Sequence, residues 1–435
     1  MIDKLKVFTN HRGLRRYLEN TTWLMAERLL RVVIGLFVGI WVARYLGPAQ
    51  FGLYNYAQSF VFLFSVISTL GLDGVVVREL VNDDTKRNIL LGTAFGLKLI
   101  GAILIFPILA GVLIFIEHDL YTKIIIFIIA GSLIFQSFNV IDYYYQSKVQ
   151  SKYVAIANSI SLGVSSLTKV VLILNNAPLI SFVWVIVFDT AVLCLGLLVS
   201  YRYVSELNPR EWYFDRVMAK SLIKSSLPLA FSGLVASIYM KIDQVMIKNI
   251  MGDEAVGVYA AAVRLSEAFY FIPMIIANSL FPAVLNAKKV SLDLYYTRLQ
   301  RLYTFIVWSA VIISAFMTYT SDWLITILFG EEYMAATDVL KIHIWASIFV
   351  YLGVVSGSWY LSENLQSLAF LRTFYGMLIN IILNFSLVPV YGIGGAAFAT
   401  LISYAVAGFF FDFFTKKTRV TFYMKLKAFF FKVNL

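Results

Sequence analysis

Apolar residues occur along the chain in runs of about 20, the length that a helix needs to cross the hydrocarbon of a membrane. Short polar segments separate these runs, and the longest of them, residues 202–224, divides the runs six and six. The pattern predicts an all-α polytopic membrane protein with about 12 transmembrane helices. The predicted spans cover residues 21–44, 53–75, 89–116, 123–147, 153–174, 178–201, 225–248, 255–283, 302–328, 338–361, 366–388 and 393–414.

The six-and-six division predicts how the chain is organised. We expect residues 1–201 to form an N-terminal six-helix bundle and residues 225–414 to form a C-terminal six-helix bundle. Residues 202–224 are expected to be a cytoplasmic linker, and residues 415–435 a basic cytoplasmic tail. The polar connections are too short to fold as separate domains.

The composition excludes the water-soluble classes of protein. Of the 435 residues, 60% are hydrophobic and 14% are charged, whereas a soluble domain is about 45–50% apolar and about 25% charged. The single cysteine, Cys194, allows no disulfide within the chain, and the three histidines share no metal-type spacing. We therefore expect no cofactor, no metal site and no nucleic-acid partner.

The positive charges predict which ends of the spans face the cytoplasm. The chain has 36 lysines and arginines against 25 acidic residues. Only four of these cations fall on predicted outer loops, namely Arg44, Lys123, Lys248 and Lys341. Cytoplasmic loops of membrane proteins are enriched in lysine and arginine, so the asymmetry predicts that both termini are cytoplasmic.

Charged residues also occur inside the predicted spans. A charge at the centre of a bilayer costs about 2.5–3.5 kcal/mol on insertion scales, so such residues normally face a partner or a water-filled cavity. The number of these residues predicts a polar path through the protein. The cations are Arg28, Arg31, Lys98, Lys169, Lys241 and Arg264, and six acids accompany them at similar depth: Glu27, Asp142, Asp189, Asp243, Glu267 and Asp412.

Two segments of the chain resemble each other at an offset of 205 residues. Residues 46–57 and 251–262 each contain a Gly-led turn followed by Gly-x-Tyr. The predicted topology places both segments on the outer side, which indicates a parallel rather than an inverted duplication. We therefore expect two six-helix bundles around a central cavity that transport by rocking against each other. The alternative is that such glycine turns are ordinary punctuation between membrane helices.

Three segments resemble a known family. Residues 43–54, residues 241–262, and the stretch with Asn380, Asn384, Pro389 and residues 391–400 are similar to the polysaccharide-flippase branch of the MATE-like (MOP) exporter superfamily. The resemblance implies a Wzx-type O-antigen or other repeat-unit flippase of the bacterial inner membrane. Such a protein acts in lipopolysaccharide or other surface polysaccharide biosynthesis, by moving an undecaprenyl-diphosphate-linked oligosaccharide from the cytoplasmic to the periplasmic leaflet.

The intramembrane cations are the candidate substrate contacts, because arginine and lysine are suited to binding a diphosphate. On one helix Arg28 and Arg31 share a face, and Glu27 reaches Arg31 four residues away. Arg264 and Glu267 repeat this arrangement at a spacing of three. We rank Arg28, Arg31 and Arg264 first, followed by Lys98 and Lys241. The alternative for Arg28 and Arg31 is that they extend to the lipid headgroups.

Three intramembrane acids are candidates for coupling transport to H⁺ or Na⁺: Asp189, Asp243 and Glu267. Asp189 lies at the centre of the sixth span with no cation within one helical turn. Either it pairs with a lysine of another helix, or it takes up and releases a proton as access alternates.

Two competing functions fit the same span pattern. One is an ion-coupled MATE-like exporter of a smaller substrate. The multidrug-exporter branch of the superfamily favours an acidic central cavity, however, and the cavity predicted here is cationic. The other is a membrane enzyme of the same pathway, which we do not expect because no long outer loop and no nucleotide-binding or nucleophile motif is present in the sequence. The expected partners are the lipid-linked oligosaccharide, the coupling ion, membrane lipids and other polysaccharide assembly proteins.

Overall fold

The computed structural model describes residues 12–430, with side chains from Glu19 onward. Within this part the chain forms helices joined by short turns, with no β-strand. The ends of the predicted terminal segments lie outside the described residues. The helices are α1 (Arg12–Thr69), α2 (Asp73–Asn82), α3 (Arg87–Phe115), α4 (Leu120–Gln136), α5 (Val140–Ser147), α6 (Lys152–Leu174), α7 (Leu179–Tyr203), α8 (Arg216–Met251), α9 (Asp253–Glu267), α10 (Phe271–Lys288), α11 (Leu292–Phe329), α12 (Ala336–His343), α13 (Ala346–Ser362), α14 (Gln366–Ala405), α15 (Phe411–Phe414) and α16 (Arg419–Phe429).

The prediction of an all-helical, multi-pass membrane protein is confirmed. Ten helical stretches in the described part of the chain are long and apolar enough to cross a membrane. Two of them, Glu19–Asn82 and Gln366–Phe414, contain 64 and 49 residues, more than twice the length of one crossing. Counting each of these as two crossings matches the predicted spans. The number of crossings and the cytoplasmic position of both termini stay predictions.

Glycines with positive φ interrupt both long stretches. Gly47 breaks α1 with φ of 69°, and Gly392 breaks α14 with φ of 59°. Gly252, which separates α8 from α9, has φ of 93° and ψ of −175°, close to the 69° and 169° of Gly47. These two glycines are equivalent in the 205-residue repeat, so the repeated sequence forms the same backbone turn twice. Such φ values carry no steric penalty in glycine.

The contacts divide the chain into two compact units. The first unit contains the described residues up to Val42 together with Ala57–Leu234. The second unit contains Ala43–Tyr56 and the described residues from Val235 onward. The boundaries of these units fall within α1 and α8. The predicted assignment of bundles, linker and tail stays a prediction.

Aromatic side chains with hydroxyl or indole partners fill the core of each unit. In the first unit, Tyr201 is fully buried and accepts a hydrogen bond of 3.3 Å from the indole of Trp212, which ties the connection before α8 to α7. In the second unit, buried Tyr303 and Ser356 share a hydrogen bond of 3.2 Å between α11 and α13. Hydrogen bonds and close packing hold membrane helices together, because lipid tails remove the hydrophobic drive between them.

Helix α16 packs inside the second unit through a buried ion pair. Lys425 and Asp412 are both 0% exposed, and their charged groups lie 2.7 Å apart. Asp412 also accepts hydrogen bonds from Tyr360 at 2.6 Å and from Thr421 at 2.8 Å. The Lys425 ammonium donates to the carbonyl of Gly408 at 2.6 Å, within the π-helical turn Val406–Phe410. Part of the predicted basic tail is therefore a docked helix.

Candidate functional site

A buried carboxylate with neutral partners lies in the second unit. Asp243 of α8 is 6% exposed. It accepts hydrogen bonds from Tyr259 of α9 at 2.9 Å, from Thr400 of α14 at 2.6 Å and from Asn384 of α14 at 2.8 Å. Three helices of this unit therefore meet at one carboxylate. We refer to Asp243, Tyr259, Asn380, Asn384 and Thr400 as the Asp243 cluster.

The two asparagines of the Asp243 cluster are positioned by helix geometry. Asn380 and Asn384 are four residues apart on α14, so their side chains share a face. The amide nitrogen of Asn384 lies 3.1 Å from the side-chain oxygen of Asn380. The break at Gly392 then turns the chain back so that Thr400 reaches the same carboxylate. The side-chain oxygen of Asn384 is buried without a hydrogen-bond partner.

The Asp243 cluster has the chemistry of a cation or proton site. Among the described residues, no lysine or arginine lies within 4.0 Å of Asp243. A buried carboxylate without a cation is costly as an anion, so a bound proton or metal cation would stabilise it. Carboxylate, amide and hydroxyl oxygens are ligands preferred by hard cations. Asp243 was a candidate from the sequence, whereas Asn380 and Asn384 were named there only for the family resemblance. Their spacing of four residues was the signal that could have indicated a shared polar site.

The other predicted site residues of the second unit, Lys241, Arg264 and Glu267, do not belong to the Asp243 cluster. The guanidinium of Arg264 lies 5.4 Å from the centre of the Phe51 ring, a cation–π arrangement. Within the described residues, no salt bridge of 4.0 Å or less joins Arg264 to Glu267, so the spacing of three does not produce a direct ion pair here. Glu267 and Lys241 are half-buried, and within residues 12–430 neither belongs to an ion pair.

The aromatic surface beneath Arg264 is fixed by a contact across the second unit. Phe51 is fully buried, and its ring meets Tyr333 edge to face at 6.4 Å between ring centres. The hydroxyl of Tyr333 donates to the backbone carbonyl of Ala43 at 2.7 Å. The segment Ala43–Tyr56 therefore supplies part of the surroundings of Arg264, which spacing along α9 alone could not indicate.

Two candidate cations of the first unit lie on α1. Arg31 donates to Glu27 through Nε at 2.8 Å and through Nη2 at 2.7 Å, so the pairing that the spacing predicts is confirmed. The side chain of Arg31 remains 48% exposed, while that of Glu27 is 13% exposed. Arg28, one turn earlier, is also exposed. Both arginines therefore lie at the surface of this unit.

Lys98 of α3 is buried in a polar chain of the first unit. It is 2% exposed, and its ammonium donates to the hydroxyl of Tyr143 at 2.8 Å. The same hydroxyl donates to the carboxylate of Asp73, at the start of α2. The ammonium of Lys98 is thus occupied by protein groups here, and its role as a substrate contact stays a prediction.

Asp189 of α7 pairs with a hydroxyl group. Its carboxylate accepts a hydrogen bond from Ser161 of α6 at 2.6 Å, and the backbone carbonyl of Asp189 lies 2.7 Å from the same hydroxyl. No cation lies within 4.0 Å of Asp189 in the described part of the chain. The first interpretation of Asp189, an ion pair with a lysine of another helix, is therefore not found among the described residues. The second, a carboxyl group that binds and releases a proton, stays a prediction.

Comparison with known families identifies two matches. The family model described as "Polysaccharide biosynthesis protein" matches residues 17–288, more than half of the chain. The model described as MatE matches residues 228–386, which include Asp243, Asn380 and Asn384. The prediction of a relationship to the MATE-like (MOP) polysaccharide flippases is confirmed.

Two curated proteins extend this relationship. The capsular polysaccharide biosynthesis protein CapF of Staphylococcus aureus is 22% identical over 420 residues, which are 92% of this chain and 99% of CapF. The probable low-salt glycan biosynthesis flippase Agl15 of Haloferax volcanii is 28% identical over 195 residues, which are 43% of this chain and 40% of Agl15.

Solved structures show the same fold. The lipid II flippase MurJ, in an inward closed conformation, superposes with a TM-score of 0.72 at 17% identity, covering 95% of this chain and 91% of MurJ. A MATE multidrug transporter in an inward-facing conformation superposes with a TM-score of 0.68 at 14% identity, covering 93% of this chain and 96% of the transporter. The chain therefore has the helical fold that MurJ and MATE transporters share.

Proposed function

The chain belongs to the polysaccharide biosynthesis protein family, and we propose that it is a flippase for undecaprenyl-diphosphate-linked oligosaccharide repeat units. It moves them from the cytoplasmic to the periplasmic leaflet of a bacterial inner membrane, for O-antigen or another surface polysaccharide. The observation that carries this proposal is the family match over residues 17–288 in a chain with a MurJ-like fold. The protein is a transporter in this account and not an enzyme.

In this proposal the substrate contacts are Arg28 and Arg31, whose side chains are exposed, together with two half-buried cations of the second unit. Arginine holds phosphate oxygens through paired hydrogen bonds, so Arg28 and Arg31 on α1 are suited to the diphosphate. The Glu27–Arg31 contact orients one guanidinium and leaves half of its side chain exposed. In the second unit, Arg264 and Lys241 take the same role. Lys98 joins them only if its bond to Tyr143 opens.

The Asp243 cluster is the coupling site for H⁺ or Na⁺ in this proposal. Its carboxylate connects α8, α9 and α14, so binding a cation or proton there changes the interactions among three helices at once. Asp189 and Glu267 are weaker candidates, because a single serine partners Asp189 and Glu267 is only half-buried. Coupling then means that occupancy of the Asp243 cluster biases which state of the protein is populated.

Transport in proteoliposomes tests the function directly. The purified full chain is reconstituted, an undecaprenyl-diphosphate-linked oligosaccharide is supplied in one leaflet, and its appearance in the other is followed under a pH or sodium gradient. The proposal predicts flipping faster than in vesicles without protein, and dependent on one of the two gradients. Flipping at the protein-free rate for a panel of repeat units would contradict it.

The second candidate is an ion-coupled MATE-like exporter of a smaller substrate. The MatE match over residues 228–386 favours it. The same vesicles distinguish the two functions, because an exporter accumulates a small cationic dye under the gradient and leaves the lipid-linked oligosaccharide in place.

A further inference from the structure

An apolar groove lies beside the start of α8 in the first unit. It has a volume of about 540 Å³, and its lining includes Leu97, Phe214 and Ile223. The cations Arg216, Lys220 and Lys224 line it as well. Phe214 is 47% exposed and Ile223 is 40% exposed. The groove therefore presents an apolar floor with positive charge along one side.

Close packing of the connection before α8 against α3 builds this groove. A Cβ on Gly92 would lie 2.5 Å from the backbone nitrogen of Tyr213, and a Cβ on Gly96 would lie 2.7 Å from the ring of Phe214. The backbone N–H of Asp215 donates to Thr93 at 3.1 Å. The floor is thus held in place by α3 rather than formed by a loose loop.

The three cations form a ladder on one face of α8. They are spaced four residues apart, so their side chains share a face, and neighbouring Cα atoms are about 6 Å apart along the axis. All three are exposed. In the part of the chain that the structure describes, no carboxylate lies within 4.0 Å of any of them.

Three other cations of the same unit are paired with carboxylates. Arg78 lies 2.9 Å from Glu79, Lys86 lies 2.9 Å from Asp83, and Lys148 lies 2.8 Å from Asp84. The ladder beside the groove differs from these three pairs, because its charges have no carboxylate partner among the described residues.

We propose that this groove binds the polyprenyl diphosphate carrier of the substrate before transport. The inference rests on the proposed function and on the predicted cytoplasmic position of residues 202–224. The polyprenyl chain lies along Leu97, Phe214 and Ile223, and the diphosphate is held by neighbouring cations of the ladder.

The spacing of the ladder favours a diphosphate over the single phosphate of an ordinary phospholipid. Two linked phosphates engage two adjacent cations at once, whereas one phosphate leaves most of the ladder without a partner. Arginine and lysine are the side chains that bind phosphate oxygens most strongly. The apolar lining beside the cations distinguishes this groove from a site for a free nucleotide or sugar phosphate.

Binding to the full chain in phosphatidylcholine nanodiscs tests the inference. Undecaprenyl diphosphate is the probe, native mass spectrometry is the readout, and undecaprenyl monophosphate and phosphatidylglycerol are competitors. The triple variant Arg216→Gln, Lys220→Gln, Lys224→Gln should bind the diphosphate about tenfold or more weakly. The matched control, Arg78→Gln, Lys86→Gln, Lys148→Gln, removes three ion-paired charges from the same unit and should bind like the wild type. Ile223→Asn should weaken binding of the chain.

The outcomes separate this inference from the proposed function. Equal binding by the groove variant and the wild type overturns the inference, as does displacement of most of the probe by an equal concentration of undecaprenyl monophosphate or phosphatidylglycerol. If the wild type flips the oligosaccharide while the groove variant binds normally, only the groove assignment fails. If the groove is selective for the diphosphate while no flipping occurs, the groove assignment stands and the proposed function fails.

Discussion

Gly52 of α1 and Gly257 of α9 occupy equivalent positions in the 205-residue repeat, and each packs against the other's helix. A Cβ on Gly52 would lie 1.7 Å from the carbonyl oxygen of Asp253, and a Cβ on Gly257 would lie 1.9 Å from that of Pro48. Pro48 and Asp253 are themselves equivalent in the repeat. The contact is therefore reciprocal, as at a two-fold axis, and the repeated sequence produces a structural repeat within the second unit.

Substitution of either glycine should destabilise the second unit. Because backbone atoms occupy the space that a methyl group needs, Gly52→Ala and Gly257→Ala should each cost about 1–3 kcal/mol or more. Gly353→Ala is the matched control, since a Cβ at that helical glycine meets nothing within 4 Å. Thermal unfolding of purified protein is the measurement, and equal melting temperatures for all three variants would contradict the close crossing.

Removal of the charge of Asp243 should abolish the dependence of transport on an ion gradient without unfolding the protein. Asp243→Asn keeps the shape of the side chain but removes its anion, so transport should lose its dependence on the pH or sodium gradient. Thr400→Val, which removes one donor to the carboxylate, should shift the ion concentration that gives half-maximal transport. Ser314→Ala is the control, because it removes a buried hydroxyl of the same unit that donates to the carbonyl of Ile344 and leaves the Asp243 cluster intact. Gradient-dependent transport in Asp243→Asn would rule out this coupling site.

The ion pair between Lys425 and Asp412 should be required for docking of α16. Lys425→Met leaves the carboxylate of Asp412 buried without its cation, and breaking a buried pair costs about 3–5 kcal/mol. The double variant Asp412→Asn, Lys425→Met should recover part of this loss, because it removes both charges. Unfolding temperatures of the single and double variants measure the coupling. Independent, additive effects would show that the two charges do not stabilise each other.

The hydroxyl of Tyr143 should stabilise the fold mainly by accepting the hydrogen bond of the Lys98 ammonium. Tyr143→Phe leaves a buried ammonium without its acceptor, and an unsatisfied buried polar group costs about 1–3 kcal/mol, or more when charged. If Lys98 is structural, the double variant Lys98→Met, Tyr143→Phe should fold more stably than Tyr143→Phe and transport at the wild-type rate. If Lys98 contacts substrate, the double variant should regain stability but lose transport.

The membrane-spanning helices and the 205-residue repeat could be predicted from the sequence, because both depend on properties of short segments of the chain. Apolar runs are as long as the membrane is thick, and the turns at Gly47 and Gly252 need a residue that tolerates positive φ. The pairing of Glu27 with Arg31 follows from helix spacing alone. These features could be predicted without knowing how the helices pack.

Contacts between distant helices could not be predicted in the same way. Spacing on α9 predicts that Glu267 lies near Arg264, but it could not predict that the ring of Phe51 from α1 lies 5.4 Å from the guanidinium. Asp243 was identifiable as an unusual charge, whereas its partners on α9 and α14 depend on tertiary packing. Lys425 looked like one of many charges in a basic tail, and only the fold pairs it with Asp412.

Restoration of surface polysaccharide in a strain that lacks its own repeat-unit flippase tests whether the protein moves lipid-linked oligosaccharides through contacts with its arginines. The wild type is compared with Arg28→Ala, Arg31→Ala and Arg264→Ala at matched membrane levels, with Lys86→Ala as a control that removes an ion-paired charge. We expect the wild type and the control to restore polysaccharide. Each arginine variant should lower it by about tenfold or more, since each loses charge-assisted hydrogen bonds to the diphosphate. Full restoration by all three arginine variants would contradict this expectation.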